Sequence, residues 1–415
     1  MRKRVVIIGG GFGGLTAAKK FHNTDFDVLL IDKTNHHLFQ PLLYQVATAA
    51  LSPGDISVPI RWILRKSKNI TVILGEAVKV DSTNNKLLLK DGEEIEYDYL
   101  IIAAGARHSY FGNNDWENYA PGLKTLEDAI NIREKMLLAF EKAERKFDKE
   151  DVSKYMTFVI VGGGPTGVEI AGAIAEISKK TLMRDFRKIN TKKTRIILVE
   201  GTDRILNTYD KKLSLRAKED LEKLGVEVNL NSMVSKIEKN KIFFGNNVIE
   251  TCNIIWAAGN TASPLLVSLK TKLDRAGRVI VNKYCSIDES PNIFVIGDAA
   301  NFQEDEHPLP GIAPVAVQQG KYVADLIKKE NNSLNKKPFK YVDKGTMATI
   351  GKAKAIAQIK KLKLTGFIAW FFWGFVHILF LINFRNKYKV MAEWIWYYFS
   401  NKNGVRLITK SNNKL

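Results

Sequence analysis

The chain contains 415 residues, of which 45% are hydrophobic and 26% are charged. This length and composition describe a folded protein with two or three hydrophobic cores and exclude an intrinsically disordered one. Its two cysteines, Cys252 and Cys285, form no CxxC pair, which argues against a disulfide framework or a cysteine-based zinc site and fits a reducing compartment. The apolar run after the basic residues 2–4 is too short for a signal peptide, so we expect no export.

The net charge of +19 predicts an anionic partner, such as nucleic acid, acidic lipid or an anionic cofactor. The distribution of the charge narrows this choice. From Lys360 to the end of the sequence there are ten lysines and arginines against one acidic residue, Glu393, and this region is also the most apolar. Basic residues beside an apolar segment favour a lipid surface over nucleic acid.

The strongest feature of the sequence is an internal duplication. Residues 5–14, VVIIGGGFGG, recur as residues 158–167, FVIVGGGPTG, and each copy is an apolar strand that runs into GxGxxG and then a helix. A second shared signal, IIAAG at 101–105 and IWAAG at 255–259, ends 91 and 92 residues after the last glycine of the respective copy. Matched motifs at matched spacing predict two similar domains.

The GxGxxG segment is typical of a site for a dinucleotide pyrophosphate. Its first glycine permits the tight turn, the second lets the backbone approach the phosphates, and the third lets the helix pack on the strand. The helix N-terminus then faces the anion. An ordinary glycine-rich turn is the alternative, and it explains one copy better than it explains two. The candidate residues are Gly9, Gly11, Phe12, Gly13 and Gly14 in the first copy and Gly162, Gly164, Pro165, Thr166 and Gly167 in the second.

Each copy has an acidic residue at the end of its second predicted strand, where a ribose hydroxyl would be bound. Asp32, followed by Lys33, lies 18 residues after the last glycine of the first copy, and Glu200 lies 33 residues after that of the second. The longer interval matches a polar, basic insertion at residues 179–194. Because Glu200 would repel a 2′-phosphate, we expect a preference for NADH over NADPH if the second copy holds the nicotinamide nucleotide. Arg204 nearby weakens this preference slightly.

A third motif indicates which dinucleotide each of the two copies binds. Residues 292–300, NIFVIGDAA, form an apolar strand that ends in Gly297 and Asp298 at a helix start, where the aspartate can accept from a ribityl hydroxyl. A simple helix N-cap is the alternative. The segment resembles the second FAD motif of two-dinucleotide flavoproteins, which implies that the N-terminal copy holds FAD and the inserted copy holds NAD(P)H. The alanine–glycine pairs of the second shared signal are then candidates for the same sites, Ala104 and Gly105 for FAD and Ala258 and Gly259 for NADH.

Three further segments are similar to bacterial type II NADH:quinone oxidoreductases, namely residues 35–45, 308–320 and 347–351. Together with the two GxGxxG copies, the resemblance extends over almost the whole chain. It implies that Gln318 and Gln319 open onto a quinone site beside the flavin ring and that Glu169 lies near the nicotinamide and the flavin. It also implies that Gln45, Val315 and Ala316 belong to the FAD site.

Several of these assignments have structural alternatives. An acidic residue in the first turn of a helix, such as Glu169, is favoured by the helix dipole in any case. The two glutamines fit ordinary polar positions of a helix, and Pro314 stands where the family more often has a glutamine of the quinone motif. His36 and His37 have no patterned third ligand, so we expect a loop near the cofactor and no metal site.

The C-terminal region is predicted to contact a membrane. Residues 364–382 contain no charged side chain, and residues 364–400 contain 14 aromatic residues, including four of the seven tryptophans. Aromatic and basic residues together are typical of the membrane interface, which favours helices that lie in one leaflet. A membrane span and a buried helix of a dimer are the alternatives.

The sequence therefore predicts an α/β fold with two Rossmann-like dinucleotide-binding domains of the glutathione-reductase type, the FAD domain being discontinuous. The expected divisions are 1–118 and 286–335 for FAD, 119–285 for NADH and 336–415 for a C-terminal region with membrane-anchoring helices. We expect hydride transfer from NADH to FAD and two-electron reduction of a membrane quinone without proton pumping. The resemblance further implies a homodimer on the cytoplasmic face of a bacterial plasma membrane. The rival functions are a reductase of the same fold with another acceptor and a flavoprotein like apoptosis-inducing factor that binds nucleic acid.

Overall fold

The computed structural model describes residues 2–304, 307–329, 337–401 and 404–409. The chain divides into two compact units. The first unit comprises Met1–Leu38, Ser57–Arg107 and Asn260–Asp343, and the second comprises Phe39–Ile56, His108–Gly259 and Lys344–Leu415.

The α-helices range from 4 to 21 residues. In chain order they are α1 (Phe12–Lys20), α2 (Leu43–Ala47), α3 (Pro53–Ile56), α4 (Ile60–Leu64), α5 (Leu126–Lys146), α6 (Pro165–Glu176), α7 (Lys211–Lys223), α8 (Ala313–Lys329), α9 (Gly366–Phe380) and α10 (Phe384–Ser400).

The strands are short, from two to six residues. In chain order they are β1 (Arg4–Ile8), β2 (Asp27–Asp32), β3 (His36–Leu38), β4 (Ser57–Pro59), β5 (Ile70–Leu74), β6 (Ala77–Asp81), β7 (Lys86–Leu89), β8 (Glu94–Glu96), β9 (Tyr99–Ile102), β10 (Ala106–His108), β11 (Thr157–Val161), β12 (Arg195–Val199), β13 (Val226–Asn229), β14 (Val234–Glu238), β15 (Lys241–Phe244), β16 (Asn247–Glu250), β17 (Asn253–Trp256), β18 (Asn260–Ala262), β19 (Val279–Ile280), β20 (Ser286–Ile287), β21 (Ser290–Val295), β22 (Ala300–Asn301), β23 (Gln303–Glu304), β24 (His307–Pro308), β25 (Thr346–Gly351), β26 (Lys354–Ile359) and β27 (Leu362–Thr365).

The first unit is built on a six-stranded sheet in the order β20-β21-β9-β1-β2-β5, in which only the β20–β21 pair is antiparallel. The central strand β1 is buried over its apolar residues, as expected for a strand of a parallel sheet with both faces covered. The strands β1, β2, β9 and β21 end at one edge of the sheet. That edge carries Gly9, Asp32, Ala104 and Gly297, in agreement with the general position of ligand sites in open parallel sheets.

The second unit repeats this arrangement with a four-stranded parallel sheet in the order β13-β12-β11-β17. In each unit a three-stranded antiparallel sheet, β6-β7-β8 or β14-β15-β16, precedes the strand that leads to the alanine–glycine pair. The same elements in the same order account for the nearly equal spacing of the two sequence signals. At the carboxyl edge of this sheet lie Gly162, Glu200 and Ala258.

The C-terminal part of the second unit is an antiparallel sheet, β25-β26-β27, with α9 packed on β26. Small residues allow this close packing, because Ala355, Ala357 and Ala369 form a buried cluster between sheet and helix. Helix α6 approaches the same sheet at Gly172, where a Cβ atom would lie 2.0 Å from the carbonyl oxygen of Ile350. Within the described residues, no helix has both the length and the apolar character needed to cross a membrane.

Candidate functional site

The turn between β1 and α1 forms an open cradle in the first unit. Gly9 has a φ of +97°, and a Cβ atom on Gly14 would lie 1.9 Å from the carbonyl oxygen of Gly9, so both positions require glycine. At Gly11, in contrast, a Cβ atom would meet nothing within 4 Å, and no described side chain caps the start of α1. The start of α1 at Gly11 therefore opens onto space that suits a pyrophosphate.

The carboxylate of Asp32 is fixed beside this turn. Its Oδ2 accepts a hydrogen bond of 2.6 Å from the N–H of Gly10, and its Oδ1 accepts from the backbone and the hydroxyl of Thr34 at 2.7 and 2.8 Å. Next to it the buried ring of His37 has its Nδ1 2.9 Å from the Gly10 carbonyl oxygen, and burial lowers the pKa of this imidazole. His37 thus supports the loop, and Lys33 is exposed to solvent.

A cavity in the first unit is lined by candidate residues of the third motif and of α8. Gly297, with a φ of +66°, donates its N–H to the Oε1 of Gln319 at 2.7 Å, and Gln319 is itself buried. Asp298 and Val315 line the same cavity. Sequence reasoning did not select Arg278, which also lines it and forms an ion pair with Asp274.

The remaining candidates of α8 have separate environments. Gln318 exchanges two hydrogen bonds of 3.0 Å with the backbone of Val342, so its amide is already satisfied. A Cβ atom on Gly13 would lie 3.2 Å from the carbonyl oxygen of Ala316. Helix α8 therefore packs closely on the first turn of α1, which begins at Phe12. Pro314 is in the first turn of α8, where a proline is tolerated.

The second unit contains a matching cradle at the start of α6. Gly162 has a φ of +108°, and a Cβ atom on Gly167 would lie 1.8 Å from the carbonyl oxygen of Gly162. A Cβ atom on Gly164 would meet nothing within 4 Å. Pro165 is the first residue of the helix and Thr166 the second, both exposed to solvent. The backbone therefore reproduces the open phosphate cradle of the first unit.

Glu200 occupies the place of Asp32 and makes the same kind of contacts. Its Oε2 accepts from the N–H of Gly163 at 2.6 Å, and its Oε1 accepts from the backbone and hydroxyl of Thr202 at 2.8 and 2.9 Å. Arg204 donates to the carbonyl oxygen of Asn207 at 3.1 Å. Gly259, after Ala258, has a φ of +74°, as Gly105 has a φ of +67° in the first unit.

A second cavity lies in the second unit between α6, the C-terminal sheet and helices α9 and α10. Glu169 contributes its carboxyl group to this cavity. Burial raises the pKa of Glu169 to about 8, and the N–H of Thr349, 3.5 Å from its Oε1, offsets this only partly. At neutral pH the group is therefore mostly protonated and can act as an acid.

Hydrogen bonds link several other side chains that line this cavity. The hydroxyl of Tyr44 lies 3.0 Å from that of Thr349 and accepts from the Nε2 of Gln45 at 2.9 Å, and the Oε1 of Gln45 accepts from the indole of Trp394 at 2.7 Å. Burial raises the pKa of Tyr44, so its phenol stays neutral. Gln45 thus belongs to this cavity of the second unit, where it joins α2 to α10.

Sequence reasoning missed several residues of this cavity. Besides Tyr44, they are Glu176, Lys352, Trp373 and Tyr397. Glu176 had a signal in the sequence, because it follows Glu169 by seven residues and two turns of helix place the two side chains on one face. Among the described residues, no group of three or more His, Cys, Asp or Glu side chains could hold a metal ion.

Comparison with known proteins gives two family matches. The model of the pyridine nucleotide-disulphide oxidoreductases matches residues 3–320, and that of the NDH2 C-terminal domain matches residues 344–402. Two proteins of Mycobacterium tuberculosis, the type II NADH:quinone oxidoreductases Ndh and NdhA, are 44% and 42% identical to this chain, and each match covers 98% of the chain and 90% of the relative. A solved structure of NDH2 from Plasmodium falciparum has a TM-score of 0.88 at 22% identity, covering 99% of this chain and 100% of that one. The likeness confirms the predicted α/β fold class.

Proposed function

The chain belongs to the type II NADH:quinone oxidoreductases, and on this premise we propose that it oxidises NADH with bound FAD and passes two electrons to a quinone. The observation that carries the proposal is the pair of open cradles, one in each unit, each with a carboxylate fixed by the loop N–H and by a threonine. A carboxylate held in this way keeps lone pairs free to accept from ribose hydroxyls. We expect the electrons to reach the quinone without proton pumping.

The first unit is proposed to hold FAD. The residues fit the cofactor, because the uncapped start of α1 and the open position at Gly11 leave room for a pyrophosphate, with Asp32 beside it for the ribose. Asp298 lines a cavity with Gly297, and we expect its carboxylate to accept from the ribityl chain. Bound FAD supplies the hydride acceptor and two-electron donor, and the residues of this unit orient it.

The second unit is proposed to hold NADH at the start of α6. The Glu200 carboxylate accepts from neutral groups, namely the N–H of Gly163 and the backbone and hydroxyl of Thr202, so its negative charge opposes a 2′-phosphate. This supports the preference for NADH over NADPH. The roles of Ala258 and Gly259, and the four-segment domain division predicted from the sequence, rest on the resemblance and on these motifs.

The quinone is proposed to bind in the cavity beside Glu169. Aromatic side chains of α9 and α10, including Trp370, Trp373 and Trp394, line it and suit a flat apolar ring, while the Tyr44 hydroxyl and Glu169 are the polar groups placed to meet its oxygens. Gln318 and Gln319 remain candidates from the family resemblance alone.

Attachment to one leaflet of a membrane is proposed for α9 and α10. Large apolar side chains are exposed on both helices, and Arg385 and Lys387 lie at the start of α10. Apolar groups of this kind lower their free energy by entering lipid, and the cations meet anionic headgroups. The exposed residues are Phe367, Ile368, Phe371, Phe372, Phe375, Leu379, Phe380, Phe384, Tyr388, Met391, Ile395, Trp396 and Phe399. The homodimer and the cytoplasmic face of a bacterial membrane are proposed from the resemblance.

The proposal is tested by anaerobic addition of NADH to the FAD-loaded protein, followed by a short-chain quinone. The flavin absorbance should disappear with NADH and return with the quinone. Absorbance that NADH does not remove would contradict the assignment of the second cradle. Absorbance that no quinone restores would contradict the proposed acceptor.

A further inference from the structure

Two carboxyl groups on one face of α6 line the same cavity. Glu169 and Glu176 are seven residues apart, which places them about 10 Å apart along the helix axis. Ala173 lies between them on this face and also lines the cavity. Because its side chain is a single methyl group, the space above the helix stays open from one carboxyl group to the other.

The two groups have different surroundings. Glu169 receives one long hydrogen bond, from the N–H of Thr349, and burial holds it protonated. Glu176 is only 5% exposed, yet it accepts from three donors, which are the N–H of Lys352 at 3.0 and 3.1 Å, the Nζ of Lys180 at 3.0 Å and the hydroxyl of Tyr397 at 3.0 Å. The Lys180 side chain is 41% exposed, so this end of the cavity reaches water.

The proposed reaction needs such a path. Oxidation of NADH by a quinone, NADH + H⁺ + Q → NAD⁺ + QH₂, converts two carbonyl groups into two hydroxyl groups. Two electrons and one hydrogen nucleus come from the hydride of NADH, and the second proton comes from the solvent. An acid that gives this proton inside a buried cavity must then be reprotonated from water before the next turnover.

We propose that Glu176, with the Tyr397 hydroxyl, passes protons from water at Lys180 to Glu169, which donates them to the quinone. The inference rests on the proposed function of the cavity and adds the route of proton uptake. In each turnover the Glu169 O–H bond breaks as a quinol O–H bond forms, and a solvent proton that enters at Glu176 restores Glu169. Glu176 acts through Glu169 and contacts neither NADH nor the quinone in this scheme.

Other titratable groups face this path and set its charge. Lys180 follows α6, Lys352 lies in the turn between β25 and β26, and Glu393, Tyr397 and Tyr398 belong to α10. Burial lowers the pKa of Lys352, and Lys180 lowers it further. Burial raises the pKa of Tyr397, and the nearby charge of Glu176 raises it further. The phenol of Tyr397 therefore remains a neutral hydrogen-bond donor. On α2, Tyr44 is the other neutral phenol at the cavity.

The test compares the first turnover with later turnovers in Glu176→Gln. At pH 7 Glu169 already carries its proton, so one equivalent of NADH and quinone should give quinol at the wild-type rate. Later turnovers should be slower by a factor of ten or more, since reprotonation limits them, and small weak acids should restore the rate. Glu176→Asp should recover much of the turnover, and Tyr397→Phe should show a weaker form of the same pattern.

A matched control is Asp220→Asn, because Asp220 is also a buried helical acid of the second unit, paired with Arg216 four residues before it, and it lies outside the cavity. Its first and later turnovers should equal those of the wild type.

If Glu176→Gln slows the first turnover as much as the later ones, Glu176 has a structural role and the relay is wrong. Unchanged turnover throughout also overturns it. Should Glu176→Gln fail to fold, Tyr397→Phe decides by the same two rates. A wild-type protein that reduces no quinone contradicts the proposed function instead.

Discussion

Replacement of Glu169 by glutamine should abolish the pH dependence of quinone reduction. Burial raises the pKa of this carboxyl to about 8. Such a group is about 90% protonated at pH 7 and about 10% protonated at pH 9. If Glu169 gives its proton to the quinone, the wild-type rate of flavin reoxidation should fall about ninefold over this interval. Glu169→Gln keeps the shape of the side chain without an acidic proton, so its rate should be low at every pH.

The same pKa predicts how stability depends on pH. The folded-state pKa lies above the ordinary value of 4.5, so the folded protein binds the extra proton between these two values. The resulting stability is fully present below about pH 4.5 and is lost as the pH rises through about 8. The wild type should therefore lose about 3 to 4 kcal/mol of unfolding free energy between pH 5 and pH 8 that Glu169→Gln does not lose, because one pKa unit corresponds to about 1.36 kcal/mol.

Two assays separate these effects. Stopped-flow mixing of pre-reduced enzyme with a short-chain quinone gives the reoxidation rate across the pH range, and unfolding of FAD-loaded protein at two pH values gives the stability difference. Reduction of the flavin by NADH serves as the internal control, because hydride transfer needs no proton from Glu169. A wild-type reoxidation rate that stays constant from pH 7 to 9, or a glutamine variant with the wild-type rate, would refute the reasoning.

Three further predictions concern the cradles and the C-terminal helices. Glu200→Gln should lower the kcat/KM preference for NADH over NADPH about tenfold or more, measured with both nucleotides, because it removes a charge near the 2′-phosphate; an unchanged ratio would contradict this. Gly167→Ala should abolish flavin reduction by NADH while FAD stays bound, whereas Gly14→Ala should release FAD. In each variant the new Cβ atom would lie within 2 Å of a backbone carbonyl oxygen. Loss of FAD from both variants would contradict separate sites. Phe371→Glu with Phe375→Glu, at side chains 59% and 60% exposed, should reduce binding to anionic lipid vesicles and spare the reduction of a soluble quinone; equal vesicle binding would place the membrane contact elsewhere.

The dinucleotide cradles could be predicted from the sequence because their geometry is local. The positive φ of Gly9 and the close contact at Gly14 arise within a few residues of chain, and so does the threonine two positions after each ribose-binding acid. A short pattern of residue types therefore determines the backbone. The second copy could be identified in the same way, even though Glu200 follows a longer helix and loop than Asp32 does.

The cavity beside Glu169 could not be predicted in this way. Gln45 and Trp394 are 349 positions apart and meet only because residues 39–56 belong to the second unit with the C-terminal helices. No periodicity in the sequence links these segments. The different environments of Gln318 and Gln319 have a similar origin, since Val342, 24 residues away, satisfies the first amide, and Gly297 donates to the second.

The two copies of the duplication differ at one position of the helix that follows the fingerprint, where only the second copy carries an acid. Thr16 and Glu169 both stand two residues after the last glycine of their fingerprint. In α1, which packs on α8, the Thr16 hydroxyl donates to the carbonyl oxygen of Phe12 at 2.6 Å and is satisfied within its own helix. In α6 the corresponding face meets the C-terminal sheet at Gly172 and then a cavity, and a carboxyl group there lacks a strong donor. The same supersecondary unit thus gives a structural residue in one unit and a partly buried acid with a raised pKa in the other. The difference lies in what covers the helix, since the sheet and helices that close the cavity over Glu169 come from the C-terminal region of the chain.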